Sequence, residues 1–588
     1  MSARSGNLHR VADRNHGIKR LSHLAAFHRI WLCLTVVCGT VVVTPAFGQA
    51  PSAENPAAEK LAAEAPAAVA ICPTHFRDAL QEWIDYRQQQ GIQVTVVESA
   101  RSAEQVVQAI RRVQTPSLRF VLLVGDAPAI GSTANPDFQV PMHYVSTTVS
   151  AKFGSTPTMA TDFPYGDFDA DGLADAAVGR LPVDTPDQLS NLIGRIKAYE
   201  TSQDFSSWRN RVELVGGVGG FGMLADAAIE SVTRLIVTAS LPTAVRTSIA
   251  YGSPGHLFYP RKRFTETITD RFNRGCRFWV YAGHGLVNQL DRVPPGPSGV
   301  PVLDRQSLQH LHCDPQSAPI AVLLCCFTGA IDAQSESLAE QMLVHDGGPI
   351  AVIAGNRVTM PYGNASLTLG LIDAVYGRDE IPQNAARHLG QAWMQTLRQL
   401  HQADSAEKNQ LRTMIDGVAT LVSPAGVTLA DERREHAALY SLLGDPLLEL
   451  HPPASIQIET ATGHDADSPV RVRVTCPIDG VCSVTLDHPL GERRADTTDQ
   501  RLIDPNQTTL AQIKRPIRAE RPEEFELLLP ETRSGVLAVR VHVSGEQTWA
   551  TGGAQTFVRP PVETKPLEAT PVAAPSGTRP AVTPLSTD

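Results

Sequence analysis

Apolar and polar positions along the chain fall into two textures that meet near Pro453. From residue 70 to 452, short apolar runs without strict alternation (IQVTVVES, LRFVLLVGD, VELVGG, CRFWVYAGHG, PIAVLLCC, GGPIAVIAG) are separated by stretches of helical period such as HFRDALQEWIDYRQQQG and FTETITDRFNRG. Unalternated runs of this length suit strands buried on both faces of a parallel sheet. Five or six of them make an open α/β sheet wound by helices, with right-handed crossovers. In such a sheet, reacting groups gather at the carboxyl ends of the strands. Beyond Pro453 the period becomes two, in SIQIE, PVRVRVTC, CSVTLD, EFELLLP, GVLAVRVHVSG and AQTFV. Residues 453–558 are therefore expected to form a β-sandwich.

The two ends of the chain differ from this body. Residues 1–29 carry six basic side chains, and the apolar run from Ile30 to Val43 follows, then TPAFGQA. This is the order of a secretory signal, with cleavage expected after Gly48, and the run is too short to span a bilayer as an anchor. Residues 49–69 are rich in Ala, Pro and Glu and read as a linker or pro-segment, and 559–588 as a Pro-rich tail unable to build a core. The formal charge is −10 and becomes −15 without the first 48 residues, which disfavours nucleic acid or other phosphate-bearing partners. The expected location is secreted, periplasmic or cell-envelope.

Seven cysteines remain after residue 48. An odd number in an oxidising compartment leaves one thiol without an intrachain partner. Cys476 and Cys482 bracket PIDGV and are expected to bridge a hairpin. Cys325 and Cys326 are adjacent at the end of an apolar block, which is not a disulfide framework.

Two strand ends carry the candidate chemistry: FWVYA runs into Gly283-His284-Gly285, and PIAVLL into Cys325-Cys326-Phe327-Thr328-Gly329. On parallel neighbours, an imidazole and a thiol would emerge on the same rim. A neighbouring imidazole generates the thiolate nucleophile and later protonates the leaving amine. The N–H groups of Gly285 and of the nucleophilic cysteine could then form an oxyanion hole. Taken singly, His284 is equally a hydrogen-bonded turn residue and a buried Cys a small hydrophobe.

YAGHG followed by CCFTG resembles the gingipain family of clan CD cysteine peptidases. LLVGD (122–126), DFDADGLADAAVGRLPV (167–183), SLAEQML (337–343), GGPIAVIAG (347–355) and YSLLGDPLLEL (440–450) agree in order and spacing. The resemblance implies a caspase-like α/β fold with a trailing immunoglobulin-like domain, a secreted cysteine endopeptidase acting on proteins or peptides, His284 as catalytic histidine and Cys326 as nucleophile. It also implies Asp175 as the acidic residue that orients the histidine, and an acidic pocket for a basic P1 side chain, for which Asp184 and Asp187 are candidates. Cys325 departs from the family pattern. The alternatives are an inactive scaffold or adhesion protein on the same fold and a transpeptidase using the same pair.

Two further motifs compete for roles. Asp167, Asp169, Asp171, Gly172 and Asp175 reproduce the start of a calcium loop, but Val178 stands where a bidentate Glu is needed. That excludes a complete EF-hand and leaves a looser calcium site of Asp167, Asp169 and Asp171 or a solvated acidic turn. No cofactor is required by the chemistry. Gly217-Val218-Gly219-Gly220-Phe221-Gly222 satisfies G-x-G-x-x-G between a strand and a helix, yet no acidic residue occurs from Ser231 to Thr265 to hold a ribose, so dinucleotide binding is not expected. These glycines are expected to shape a loop at the strand rim.

Overall fold

The computed structural model describes residues 66–559 except 221–222, 261–262, 378–384, 403–409, 423–425, 462, 466–467, 492–503 and 530–533. The expected signal, nearly all of the linker and the tail lie outside the described residues.

Ten strands form one sheet: β1 (Ala67–Ile71), β2 (Gln93–Val97), β3 (Leu118–Val124), β4 (Ala177–Leu181), β5 (Arg211–Gly216), β6 (Arg246–Tyr251), β7 (Phe278–Ala282), β8 (Ile320–Leu324), β9 (Ala351–Gly355) and β10 (Tyr440–Leu443). Their spatial order is β2-β1-β3-β4-β10-β9-β8-β7-β5-β6. β2, β1, β3 and β4 pair in parallel, as do β9, β8, β7, β5 and β6. β10 joins the blocks, running antiparallel to β9 and meeting β4 at the single pair Leu443↔Arg180. The sheet is thus mostly parallel, with helices between its strands.

The apolar runs became central strands because every residue of IAVLL and AVIAG is buried. Four strands were not foreseen, and each lacks the long apolar signature. β1 is AAVAI, drawn from what read as the linker, and its small side chains suit a place between β2 and β3. β4 carries Arg180, paired in the interior with Asp162 at 2.7 Å, β6 (RTSIAY) is largely polar, and β10 (YSLL) is short. Helix starts follow local chemistry: Thr185 caps Pro186–Glu200 in a reciprocal box with Gln188, and Ser337 does the same with Glu340 for Leu338–Val344. Trp83 and Trp279 are wholly buried in the core around this sheet.

The C-terminal region consists of two facing sheets around one apolar core. One holds Gln457–Thr460, Val470–Thr475 and Glu523–Leu527; the other includes Gly480–Asp487, Thr509–Ile517, Gly535–Ser544 and Trp549–Arg559. The alternation is literal in VRVRVT, where Val470, Val472 and Val474 are buried and Arg471 and Arg473 exposed. Thr509–Ile517 was missed because it is polar and contains Pro516, which an edge strand tolerates. The expected Cys476–Cys482 hairpin disulfide is not found. Cys476 follows the end of Val470–Thr475 and Cys482 lies in Gly480–Asp487 of the other sheet, so the segment between them passes from one sheet to the other rather than forming a hairpin, and both are buried free thiols. Burial pushes the Cys482 thiol up to about 12.

The sandwich closes the open edge of the large sheet. Asn506 donates to and accepts from the backbone of Ile249 on edge strand β6 at 3.0 and 2.7 Å, replacing a strand neighbour. Asp487, wholly buried, takes Arg540 at 3.0 Å and β6 residue Arg246 at 3.7 Å. Burial works to raise its carboxyl pKa, but the two guanidinium groups and the hydroxyls of Thr509 and Thr485 hold it below the usual range. Its contribution to stability is therefore complete above about pH 4, the unfolded value, and is lost as pH falls through the lowered native value. Replacing Asp487 by Ala leaves two partly buried guanidinium groups without their shared carboxylate and is expected to cost about 2 kcal/mol, measured as a drop in the denaturant midpoint at neutral pH. The wild-type and Asp487→Ala midpoints should converge under acid.

Candidate active site

β7 and β8 are parallel neighbours whose register pairs Ala282 with Leu324. Two residues beyond each lie His284 and Cys326, so they leave the sheet level with each other on strands about 4.8 Å apart. The turns touch directly: a Cβ added to Gly285 would come within 2.6 Å of the Cys326 carbonyl oxygen and 2.8 Å of Cys325 Sγ. Only glycine permits this approach.

The adjacent sulfurs point into different surroundings. Cys325 is 1% exposed, sits 3.4 Å from Thr328 Oγ1, and has its thiol pKa pushed far up by burial. Cys326 is half-buried, and its Sγ accepts the Thr359 N–H at 3.4 Å, with Thr359 Oγ1 at 3.8 Å. Behind Thr359, Asn364 donates to Thr359 Oγ1 at 3.3 Å and receives the Tyr440 hydroxyl at 2.7 Å, so the contact to Cys326 is backed by a buried chain.

Past Cys326 the backbone bends sharply. Phe327 has φ +61°, a left-handed conformation costly for a bulky residue. The strain is held by its surroundings. Phe327 N–H donates to the Arg357 carbonyl at 3.1 Å, and the Arg357 guanidinium is clamped to Asp332 at 2.6 Å in the interior. Ile130 N–H and the Tyr144 hydroxyl also reach Asp332, at 2.8 and 3.2 Å, tying this turn to the long excursion between β3 and β4.

The structure does not bring Asp175 to His284. Asp175 lies just before β4, and three strands (β10, β9, β8) separate β4 from β7, a lateral gap of about 19 Å. Its Oδ2 instead accepts the Phe168 N–H at 2.8 Å. Strand order is set by long-range packing, so a local motif shared with the family does not by itself carry Asp175 to His284. Asp184 and Asp187 belong to the start of helix Pro186–Glu200, where the Asp184 N–H donates to Gln188 at 2.7 Å.

Asp291 bonds to His284, and Asp226 bonds to Gly220 beside it. Asp291 Oδ2 accepts the His284 backbone N–H at 3.0 Å. Asp226 Oδ1 accepts the Gly220 N–H at 3.1 Å, and a Cβ on Gly220 would lie 3.4 Å from His284 Nε2. The glycine loop read from G-x-G-x-x-G is thus a wall beside the imidazole. The available signal was positional: the loop ends the strand next to β7, and Asp226 precedes the window in which an acidic residue was sought.

Asp167, Asp169 and Asp175 offer oxygens within 4.8 Å of one another. Asp171, expected as a ligand, instead turns its Oδ1 to the Leu173 N–H at 2.8 Å. Asp167 is 9% exposed, and its Oδ1 is buried without a hydrogen-bond partner. All-oxygen donors and an unsatisfied buried carboxylate atom fit a hard divalent cation such as calcium.

The chain matches peptidase family C25 over residues 62–451. No curated protein sequence matches it. Among solved structures it is similar to the Arg-specific cysteine proteinase gingipain R (RgpB), at 16% identity and TM-score 0.47, covering 84% of this chain and 98% of that one. A complex of the pro- and mature domains of RgpB from Porphyromonas gingivalis gives 16% identity and TM-score 0.46, with 84% and 100% covered. Dimeric latent PorU from the same organism gives 11% and 0.30, with 86% and 43% covered. With the family matched over most of its length, the chain belongs to peptidase family C25, the gingipain family, and is a cysteine-type peptidase.

Proposed function

We propose that the protein is an exported cysteine endopeptidase in which Cys326 is the nucleophile and His284 the proton carrier. The observation that carries this reading is the β7/β8 register, which sets His284 and Cys326 level on adjacent parallel strands with Gly285 packed on the Cys326 carbonyl. In the first half-reaction the Cys326 sulfur bonds to the peptide carbonyl carbon, its proton passes to His284, and the imidazolium delivers it to the departing amine. In the second, His284 takes a proton from the water that attacks the thioester carbon, the carbon–sulfur bond breaks to release the carboxylic acid product, and the imidazolium returns its proton to the Cys326 sulfur. Phe327 N–H is committed to Arg357, so the N–H groups assigned to the developing oxyanion are those of Gly285 and Cys326, each worth about 3 kcal/mol.

Export rests on the basic, apolar and small-residue order of the first 48 residues. The substrates proposed are proteins or peptides. The C-terminal module is read as immunoglobulin-like, on the support of two facing sheets with one core, and its contacts with β6 make it a brace for the catalytic sheet. Calcium at Asp167, Asp169 and Asp175 is the structural ion proposed. It would be held by carboxylate oxygens at the entry to β4, distant from the reacting groups, and supplies loop stability rather than chemistry.

Cys326→Ala should abolish peptidolysis and labelling by a thiol-reactive peptidyl probe, whereas Cys325→Ala, altering a buried thiol, should retain most of both. Full activity in Cys326→Ala would overturn the assignment. For the ion, addition of calcium to chelator-treated protein should raise the melting temperature by a few degrees, and Asp167→Asn should remove that rise. An unchanged melting temperature in the wild-type protein would show that the cluster is a solvated turn.

A further inference from the structure

His284 sits between two loops that are held by one carboxylate oxygen. Asp291 Oδ2 accepts the His284 N–H at 3.0 Å and the Val218 N–H at 3.1 Å, and lies 2.9 Å from the Tyr281 hydroxyl. The Tyr281 hydroxyl is also 2.9 Å from the His284 carbonyl and accepts the Asp291 N–H at 3.3 Å. Its single proton serves one oxygen at a time. Burial first, and then the Asp291 charge, hold this phenol far above its ordinary range, so it remains a donor. One polar junction thus grips His284 by both its N–H and its carbonyl.

The junction is too tight for neighbouring side chains. A Cβ on Gly217 would overlap Asp291 Oδ2, and one on Gly283 would come to 2.5 Å from the Tyr281 hydroxyl and 2.7 Å from Asp291 Oδ2. The first glycine of the dinucleotide-like motif therefore answers to Asp291. From Val218 the same loop runs on to Gly220, the wall against His284 Nε2, whose N–H is held by Asp226. A carboxylate suits this place because several donors converge on one oxygen, and bonds to an anion are the stronger kind.

The geometry points to Asp291, acting with Tyr281, as the positioning residue of the catalytic site: it sets the His284 backbone and the glycine wall in one register, so that the imidazole is aimed at Cys326. This inference rests on the peptidase reading above and extends it. Asp291 bonds to the backbone of His284 and touches neither substrate nor sulfur in this role. Its loss should therefore slow the chemical step while leaving substrate binding in place.

The test uses the full chain as wild type, Cys326→Ala, Asp291→Ala, Asp291→Asn and Tyr281→Phe, with kcat, KM and melting temperature measured for each on one peptide substrate. Asp291→Ala is expected to lower kcat by about 100-fold with KM within about twofold, the usual consequence of misplacing a reacting group by an ångström. Asp291→Asn keeps an acceptor oxygen and should restore kcat to within about tenfold of wild type; Tyr281→Phe should lose about tenfold. Undiminished kcat in Asp291→Ala, or equal losses in the Ala and Asn variants that track their melting temperatures, would overturn the inference. Should Asp291→Ala fail to fold, Tyr281→Phe decides, and a folded protein with wild-type kcat overturns it. A wild type no more active than Cys326→Ala removes the peptidase reading and this inference together, an outcome distinct from Asp291→Ala matching an active wild type.

Discussion

The arrangement proposed for catalysis depends on one pairing, the parallel register of β7 and β8. Ala282 opposite Leu324 sets the positions two residues further on level with each other, so His284 and Cys326, separated by 41 intervening residues, leave the sheet side by side. Parallel pairing has a topological cost, because the chain must cross back outside the sheet before each new strand. That same crossing returns each strand to a common rim, where groups from distant sequence meet.

Around this pair the structure spends buried polar groups on geometry. Arg357 and Asp332 hold the strained Phe327 turn after Cys326, and Asp291 and Tyr281 hold the turn containing His284. Both devices bind backbone as well as side chain, which is how a loop acquires the stiffness of a strand. The C-terminal sheets extend the same logic outward. Asn506 and Asp487 bind the exposed edge of β6, two strands from β7, so the outer margin of the catalytic sheet is covered rather than open.

Much of this was legible beforehand. The buried runs IAVLL, AVIAG and LRFVLLV announced themselves as parallel strands, and His284 and Cys326 were visible at strand ends because apolar blocks stop abruptly there. Strands built from small or polar residues were not visible. β1 is almost all alanine and valine, β4 buries an arginine, and Thr509–Ile517 is an edge strand whose outward positions stay wet. In each the hydrophobic signal that marks a strand is carried by the neighbours instead.

What the sequence by itself determined is local: which segments alternate with which period, where apolar blocks end, and which chemically capable residues stand at those ends. Those properties depend on side chains within a few positions of one another. Tertiary structure alone decided which carboxylate stands beside His284. Asp175, in a matching motif, was carried three strands away, while Asp291, in no motif, was brought to the His284 backbone and Asp226 to its neighbour Gly220. The reason is physical: strand order and loop closure are set by burial of the whole sheet and its helices, a sum over long-range contacts that no short stretch of chain contains.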